Sequence, residues 1–597
     1  MLEFSLPARY QVPSGGNLSD LIHQNAEQHS GVAVISRKVA GQWQDLTAAQ
    51  FLTEVHAAAK GLIASGVEPG DRVAVMSRTR YEWTLLDFAV WCAGAITVPV
   101  YESSSAEQVE WILGNSGAVA VVTETAAHAA VVAEVQGRLP QLRHTWQIED
   151  GAIAALAEAG AKVSDATVAE RRSVPNADSI ATIVYTSGTT GRPKGCQLTH
   201  GNFLAELGNV TARLEPLFRT GESSVLLFLP LAHVLGRIAE IAAAIAPIKL
   251  GHVSDIKDVT AELGSFRPTL ILGVPRVFEK VFNTARAKAQ ADGKGKIFDK
   301  AADTAIAYSR ALDAGGAGLG LRIKHFVFDK LVYTKLRAAL GGRATHAISG
   351  GAPLGERLGH FYRGIGFTVL EGYGLTETCA ATAFNPHDKP KIGTVGQPLP
   401  GSSVKIAEDG EVLLKGPQIF TGYWENPQAT ADALQDGWFA TGDIGSLDAE
   451  GYLTITGRKK EIIVTAGGKN VAPAVIEDRI RAHALIGEVM VVGDRKPFIA
   501  CLITLDPDFF AKWKEVNGKP ADATLTDLAA DAGLLAAVQA AVDDGNQAVS
   551  HAEAVKKFRL LDTAFTEESG HLTPSLKLKR NVVLKDFAAE VESLYQR

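Results

Sequence analysis

The sequence predicts an α/β protein: a large N-terminal domain of mixed, mostly parallel sheets with helices on their faces, followed by a small α+β C-terminal domain. Three observations carry that expectation. From residue 71, apolar β-type runs alternate with helical stripes, the pattern of a sheet covered on both faces. After residue 401 the texture changes to short strands separated by turns. At 597 residues the chain is also too long for one ordinary core. The charged knot Gly457-Arg458-Lys459-Lys460-Glu461 marks the division, giving domains 1–457 and 458–597.

The elements follow in order. DRVAVMS reads as a strand, a helix with Trp83, Leu86, Val90 and Ala93 on one face follows, and ITVPVY closes a βαβ unit. The next helix carries two capping-box spacings, Ser104 with Glu107 and Ser105 with Gln108, and buries Val109, Ile112 and Leu113. AVAVVTE is a further strand, and residues 225–229, 269–272, 344–349 and 367–370 read likewise, each before a Gly- or Pro-containing turn. Residues 275–349 are largely helical, with a Gly-rich tract at 315–320 read as a flexible loop. Beyond the knot, Pro473 suits the first turn of a helix running to residue 483, and GEVMVVG and FIACLITLD read as strands.

Composition narrows the function. Hydrophobic residues at 46%, charged residues at 21% and a net charge of −7 describe a globular protein with no electrostatic case for nucleic acid. The four cysteines are widely spaced and match neither a disulfide framework nor a zinc pattern, so reduced thiols and a cytoplasmic setting are expected. The first residues lack the apolar run of a secretory signal. The greasiest region, residues 225–250, is interrupted by Pro230, His233, Arg237, Glu240 and Pro247, unlike a membrane span. A broken apolar region of this kind leaves peripheral membrane contact open.

The chemistry concentrates in a few stretches. YTSGTTGRPKG closes a β-like segment with small residues whose backbone N–H groups can converge on an anion; Thr186, Ser187, Gly188, Thr189, Thr190, Gly191 and Lys194 supply amides, hydroxyls and charge. Its glycine spacing is not that of a Walker A loop. EGYGLTET sets the ring of Tyr373, the hydroxyl of Thr376 and the carboxylate of Glu377 at a strand end; one carboxylate beside phosphates suffices for Mg²⁺, although a helix N-terminus would also favour that glutamate. SGGAP, with Gly351, Ala352 and Pro353, would let a flat heterocycle approach the backbone. Asp443, on a tight TGD turn, could accept from ribose hydroxyls. His233, in LPLAH, reads either as a satisfied core histidine or as a pocket or gate residue. Lys577 and Lys579 share one face if LTPSLKLKR is extended.

In this order, YTSGTTGRPKG, LPLAH, SGGAP, GYGLTET, TGD, GRKKEIIVTAGGKN and the late lysine strand closely resemble the adenylate-forming (ANL) enzymes, from about residue 71 to residue 580. Within them the chain looks like the bacterial long-chain fatty acid–CoA ligases. The resemblance implies that a fatty carboxylate attacks the α-phosphate of ATP, releasing pyrophosphate, and that CoA then displaces AMP. It implies that residues 186–194 hold the β- and γ-phosphates, Glu377 holds Mg²⁺, and Thr376 contacts the α-phosphate. Gly351, Ala352, Pro353 and Tyr373 would surround adenine, and Asp443 and Arg458 the ribose. Lys577 aligns with the family's adenylation lysine; Leu576 stands where the family motif has glycine, which leaves either Lys577 or Lys579 to enter the site. Lys460 falls at the family's hinge position, and Gly467 and Gly468 would leave room for the CoA pantetheine. An acyl-AMP ligase that loads a carrier protein would use the same adenylation parts, and a non-catalytic nucleotide or lipid sensor is a more distant alternative.

Overall fold

The structure, a computed structural model, describes residues 2–186, 192–573 and 577–596. Arg72–Met76, the helix Tyr81–Cys92 and Ile96–Val100 form the βαβ unit, with the two strands parallel. Around them a seven-stranded sheet assembles in the order Gly422–Tyr423, Lys194–Thr199, Ile180–Thr186, Ile96–Val100, Arg72–Met76, Ala120–Thr123, His144–Gln147. A nine-stranded sheet lies beside it, with parallel neighbours Ser224–Leu227, Leu270–Gly273, His346–Ser349 and Thr368–Tyr373 at its centre. A six-stranded sheet carries Glu411–Lys415, Trp438–Leu447 and Leu453–Arg458. One buried cluster joins residues from Leu18 to Leu453. Separate clusters begin at Ile463 and Met490, around the three strands Ile486–Val492, Ile499–Leu505 and Val555–Leu560.

Several local expectations change in the fold. The helix Tyr81–Cys92 is buried on nearly all sides, not on one stripe, because helices and sheet enclose it. Ser105, with extended backbone, makes the capping box with Gln108. The glycine tract is only partly a loop, since Leu319 and Gly320 already open the helix Leu319–Phe328. TGD is not a tight turn: residues 441–443 lie inside the long strand Trp438–Leu447, where the pairing with Glu411–Lys415 slips by a bulge and Gly442 takes φ of 72°.

The core also holds a charged pair. Arg237 is fully buried between the rings of Trp83 and Trp91 and binds Asp87 and Thr182 Oγ1. Burial and the neighbouring Asp87 push Glu240 well above the usual carboxylate range, so the local charges reduce to Asp87 and Arg237. Arg237→Ala is therefore expected to strand the Asp87 charge and destabilise the large domain by about 3–5 kcal/mol, read as a lowered urea midpoint; an unchanged midpoint would refute the pairing.

Candidate functional site

Strands of the two large sheets end at Thr186 and Tyr373, and side-chain contacts link most of the motif residues around these ends into one cleft. The phosphate-type loop is the connection of an antiparallel hairpin, Ile180–Thr186 with Lys194–Thr199, rather than a strand-to-helix turn. Thr186 and Lys194 are registered opposite each other at its base, whereas Ser187, Gly188, Thr189, Thr190 and Gly191 lie outside the described residues. Pro193 O accepts from Trp111 Nε1 at 2.8 Å, and Arg192 stacks over that indole. Lys194 Nζ lies 5.0 Å from the ring centre of Tyr423.

Tyr423 links this hairpin to the next motif. Its hydroxyl donates to Glu377 Oε1 at 2.8 Å, and Phe420 N donates to the Glu377 carbonyl at 2.8 Å. Glu377 belongs to the short helix Thr376–Thr378 that follows the strand Thr368–Tyr373. Gly374 cannot be replaced in this turn, since a Cβ there would stand 1.6 Å from Ala380 O. Nothing in the spacing of TGYW singles out Tyr423; only the pairing of Gly422–Tyr423 with the hairpin brings it to Glu377.

On the other wall Tyr373 Oη donates to Asp443 Oδ2 at 2.6 Å, and Arg458 Nε lies 3.2 Å from Asp443 Oδ1. Asp443 and Arg458 are cross-strand partners, so the strand Leu453–Arg458 carries the arginine on the large domain's sheet, and the expected division after residue 457 falls inside that strand. Burial raises the Asp443 carboxyl despite Arg458, and burial beside Asp443 raises the Tyr373 phenol strongly. Gly351, Ala352 and Pro353 are exposed to the cleft beyond the strand His346–Ser349. Behind them Leu354 N donates to Glu371, whose carboxyl burial pushes to about 7; sequence reasoning passed over this glutamate.

Lys577 enters from the C-terminal body. Thr573 N donates to Lys577 O at 2.8 Å, Lys577 N donates to Thr573 Oγ1 at 3.0 Å, and Leu572 bridges Leu578, so the lysine is presented by a hairpin. Water reaches its side chain from the cleft, but protein walls most of it: burial and Arg458 lower its pKa, while Asp443, Glu377 and Glu461 act to raise it. Lys579 precedes the helix Arg580–Asp586. His233 caps the helix Val234–Ile245 through Leu235 N at 3.1 Å, and burial followed by the Lys577 charge lowers it to about 3, so it is a neutral ring close to the cleft.

The remaining two motifs are not in the cleft. Lys460 is exposed on the helical turn Lys459–Glu461, between Lys459, bound to Asp409 and Glu411 at 2.5 and 2.9 Å, and Glu461, which faces Arg580 at 3.4 Å. Gly467 and Gly468 form the exposed tip between Ile463–Val464 and Asn470–Val471, with Lys469 bound to Glu553 at 3.2 Å.

A seam away from the cleft joins the two bodies. Arg276 Nη1 lies 2.6 Å from Glu488 Oε1, and Arg481 lies 3.6 Å from Glu488. Glu279, facing Arg481, Arg276, Asp478 and Glu488, is raised by burial to about 7. A raised carboxyl favours the closed seam at low pH and opposes it as pH rises through about 7. Glu279→Gln is expected to flatten the pH dependence of closure between pH 5 and about 8, read by a fluorescence distance pair across the seam; an unchanged slope would refute the assignment.

The family model for AMP-binding enzymes matches residues 22–424, and that for the AMP-binding enzyme C-terminal domain matches residues 460–597. The chain is 52% identical over 600 residues to the long-chain-fatty-acid–CoA ligase FadD15 of Mycobacterium tuberculosis, covering 100% of both. It is 30% identical over 635 residues to the long-chain-fatty-acid–CoA ligase ACSBG2 of Xenopus laevis, covering 97% of this chain and 84% of that one. Among solved structures, the A domain of carboxylic acid reductase from Segniliparus rugosus, with AMP and a co-purified carboxylic acid, superposes with a TM-score of 0.73 at 20% identity, covering 98% of this chain and 94% of that one. The O-succinylbenzoate CoA synthetase of Bacillus subtilis, with AMP, gives 0.66 at 21%, covering 94% and 97%. At such identities these two structures speak for the fold alone.

Proposed function

The chain belongs to the adenylate-forming AMP-binding enzymes, and from that premise we propose that its cleft makes acyl-CoA from a long-chain fatty acid, ATP and CoA. A carboxylate oxygen attacks the α-phosphorus, the bond to the β-phosphate breaks, and pyrophosphate leaves. The CoA sulfur then attacks the acyl carbonyl, the bond to AMP breaks, and the thioester departs. The observation that carries this reading is that the Lys577 ammonium of the C-terminal hairpin lies within the electrostatic reach of Glu377, Asp443 and Arg458.

Each group has work suited to its surroundings. The hairpin loop beside Thr186 and Lys194 takes the β- and γ-phosphates. Thr376 takes the α-phosphate, residues 351–353 and Tyr373 flank adenine, and Asp443 with Arg458 holds the ribose hydroxyls. Lys577 bridges the attacking carboxylate and the α-phosphate, two anions that repel until a cation lies between them. Glu377, one carboxylate fixed by Tyr423 beside a phosphate loop, fits the donor set that Mg²⁺ prefers; when bound, the ion offsets phosphate charge. His233 lines the acyl side. The chain up to Arg458 and the chain beyond Lys460 act as the two bodies, with Lys460 as pivot, and Gly467 and Gly468 serve the CoA step once the smaller body has turned.

Among the described residues no helix is long and apolar enough to cross a membrane. Contact with a lipid surface is supported by the helix Leu319–Phe328, which buries none of its residues and exposes Leu319, Ile323 and Phe326 beside Arg322 and Lys324. Co-sedimentation with anionic vesicles, lost in Ile323→Gln/Phe326→Gln, tests it.

AMP release dependent on CoA, assayed across fatty acids of graded length, tests the main reading. Activity confined to short or aromatic acids would overturn the long-chain assignment, and acyl-AMP formed without thioester on free CoA would favour the carrier-loading ligase. Removing one hydroxyl gives a finer check: Tyr423→Phe frees the Glu377 carboxylate and is expected to slow ATP–pyrophosphate exchange about tenfold, the effect of one hydrogen bond to a charged group. An unaltered rate would refute the positioning role of Tyr423.

A further inference from the structure

Far along the chain from the cleft motifs, three N-terminal helices each point one soft or borderline donor at a common spot. His23 comes from Ser19–Gln28, His56 from Ala48–Ala64 and Cys92 from the last turn of Tyr81–Cys92. One ring nitrogen of each histidine and the Cys92 sulfur lie within 4.8 Å of one another, and the two Nε2 atoms are 2.8 Å apart.

The partners on the far side of each ring decide what this means. His23 Nδ1 lies 2.8 Å from the Ser19 carbonyl, which can only accept, so that nitrogen carries the proton and Nε2 presents a lone pair. His56 Nδ1 faces the Asp165 carboxylate at 3.8 Å, which favours a proton there as well. If both demands are met, two lone pairs confront each other at 2.8 Å. A proton between the rings relieves this either by leaving the His56 Nδ1 lone pair towards a carboxylate or by placing a positive charge on a half-buried ring. A metal cation between the rings relieves it without that conflict. Outer carbonyl and carboxylate partners of this kind orient histidines that ligate metals. The nearby cations are already paired, Lys60 with Asp165 at 2.8 Å and Arg172 with Asp20 at 2.5 Å.

We propose that His23 Nε2, His56 Nε2 and Cys92 Sγ form a zinc site that ties the first three helices together. Tetrahedral zinc, with bonds of about 2.0–2.1 Å to nitrogen and about 2.3 Å to sulfur, requires the two nitrogens to separate by roughly half an ångström and the sulfur to approach by about one. Rotation of His56, which is half-buried at the edge of an open cleft of about 560 Å³ lined by Lys60 and Asp165, allows the first movement. Water from that cleft fills the fourth position. On binding, Cys92 loses its thiol proton to solvent and the sulfur becomes a thiolate ligand.

The test uses the full chain, freed of metal with a chelator and titrated with Zn²⁺ and with Co²⁺. Expected are about one equivalent bound and, with cobalt, a thiolate charge-transfer band in the near ultraviolet that Cys92→Ala removes. His56→Gln and Asp165→Asn, at partly exposed positions, are expected to weaken zinc binding by about tenfold or more while keeping the metal-free unfolding midpoint. The proposal is overturned if the unaltered chain binds zinc no more tightly than His56→Gln. It is equally overturned if the cobalt band is absent, or persists in Cys92→Ala.

Discussion

Lys577→Ala lowers fatty-acid-dependent ATP–pyrophosphate exchange by about 10²–10³, the effect of removing one preorganised electrostatic group, and leaves thioester formation from preformed acyl-AMP largely intact. The asymmetry follows from charge. Adenylation drives a carboxylate onto a phosphate, and Lys577 is the cation that the C-terminal hairpin holds beside Glu377, Asp443 and Arg458. The second step attacks an uncharged acyl carbonyl, not an anionic phosphate, and needs no such bridge. Lys577→Arg keeps the charge but not the point geometry, and is expected to recover only part of the exchange rate. Equal loss of both half-reactions in Lys577→Ala would remove the lysine from its role. Lys579→Ala serves as the internal comparison, since that residue leads into the helix Arg580–Asp586, and it should retain most of the exchange rate.

The second large effect falls on the other half-reaction. Lys460→Pro is expected to spare pyrophosphate exchange and to slow thioester formation by at least about tenfold. Proline fixes φ near −65° and restricts the residue before it, so a pivot at this position loses the dihedral change that a turning body needs. The surroundings make Lys460 the natural pivot: Lys459 is tied to Asp409 and Glu411 of the large domain, and Glu461 faces Arg580 of the small one. An unaffected overall rate in Lys460→Pro would place the hinge elsewhere. Lys460→Ala, which removes charge but not freedom, should behave almost as the unaltered chain.

Much of this was legible because the relevant signals are local. Alternation of apolar runs marks Arg72–Met76, Ile96–Val100 and Ala120–Thr123, and glycine-rich motifs mark where strands end at the cleft. Ser104 and Ser105 both satisfied a capping spacing, and only tertiary packing gave Ser105 the extended backbone that a cap requires. TGD read as a turn because threonine, glycine and aspartate are turn residues; a bulge inside a long strand uses the same chemistry. Tyr423 and Glu371 were out of reach, since each acts through a partner brought by sheet pairing from far along the chain. His233 had two readings from its apolar neighbours; its buried ring caps a helix and lies near enough to Lys577 for that charge to act on it.

Arg458 stands two residues before Lys460 and is laddered to Asp443 on the larger body. On the proposed roles, a rotation about Lys460 would carry Lys577 away and leave Arg458 paired with Asp443 at the sugar. The mixed anhydride would then stay clasped while its chemical surroundings are exchanged, with no interval in which a compound that water destroys could escape. Commitment of the activated acyl group to its acceptor would thus rest on which side of the pivot a single arginine lies.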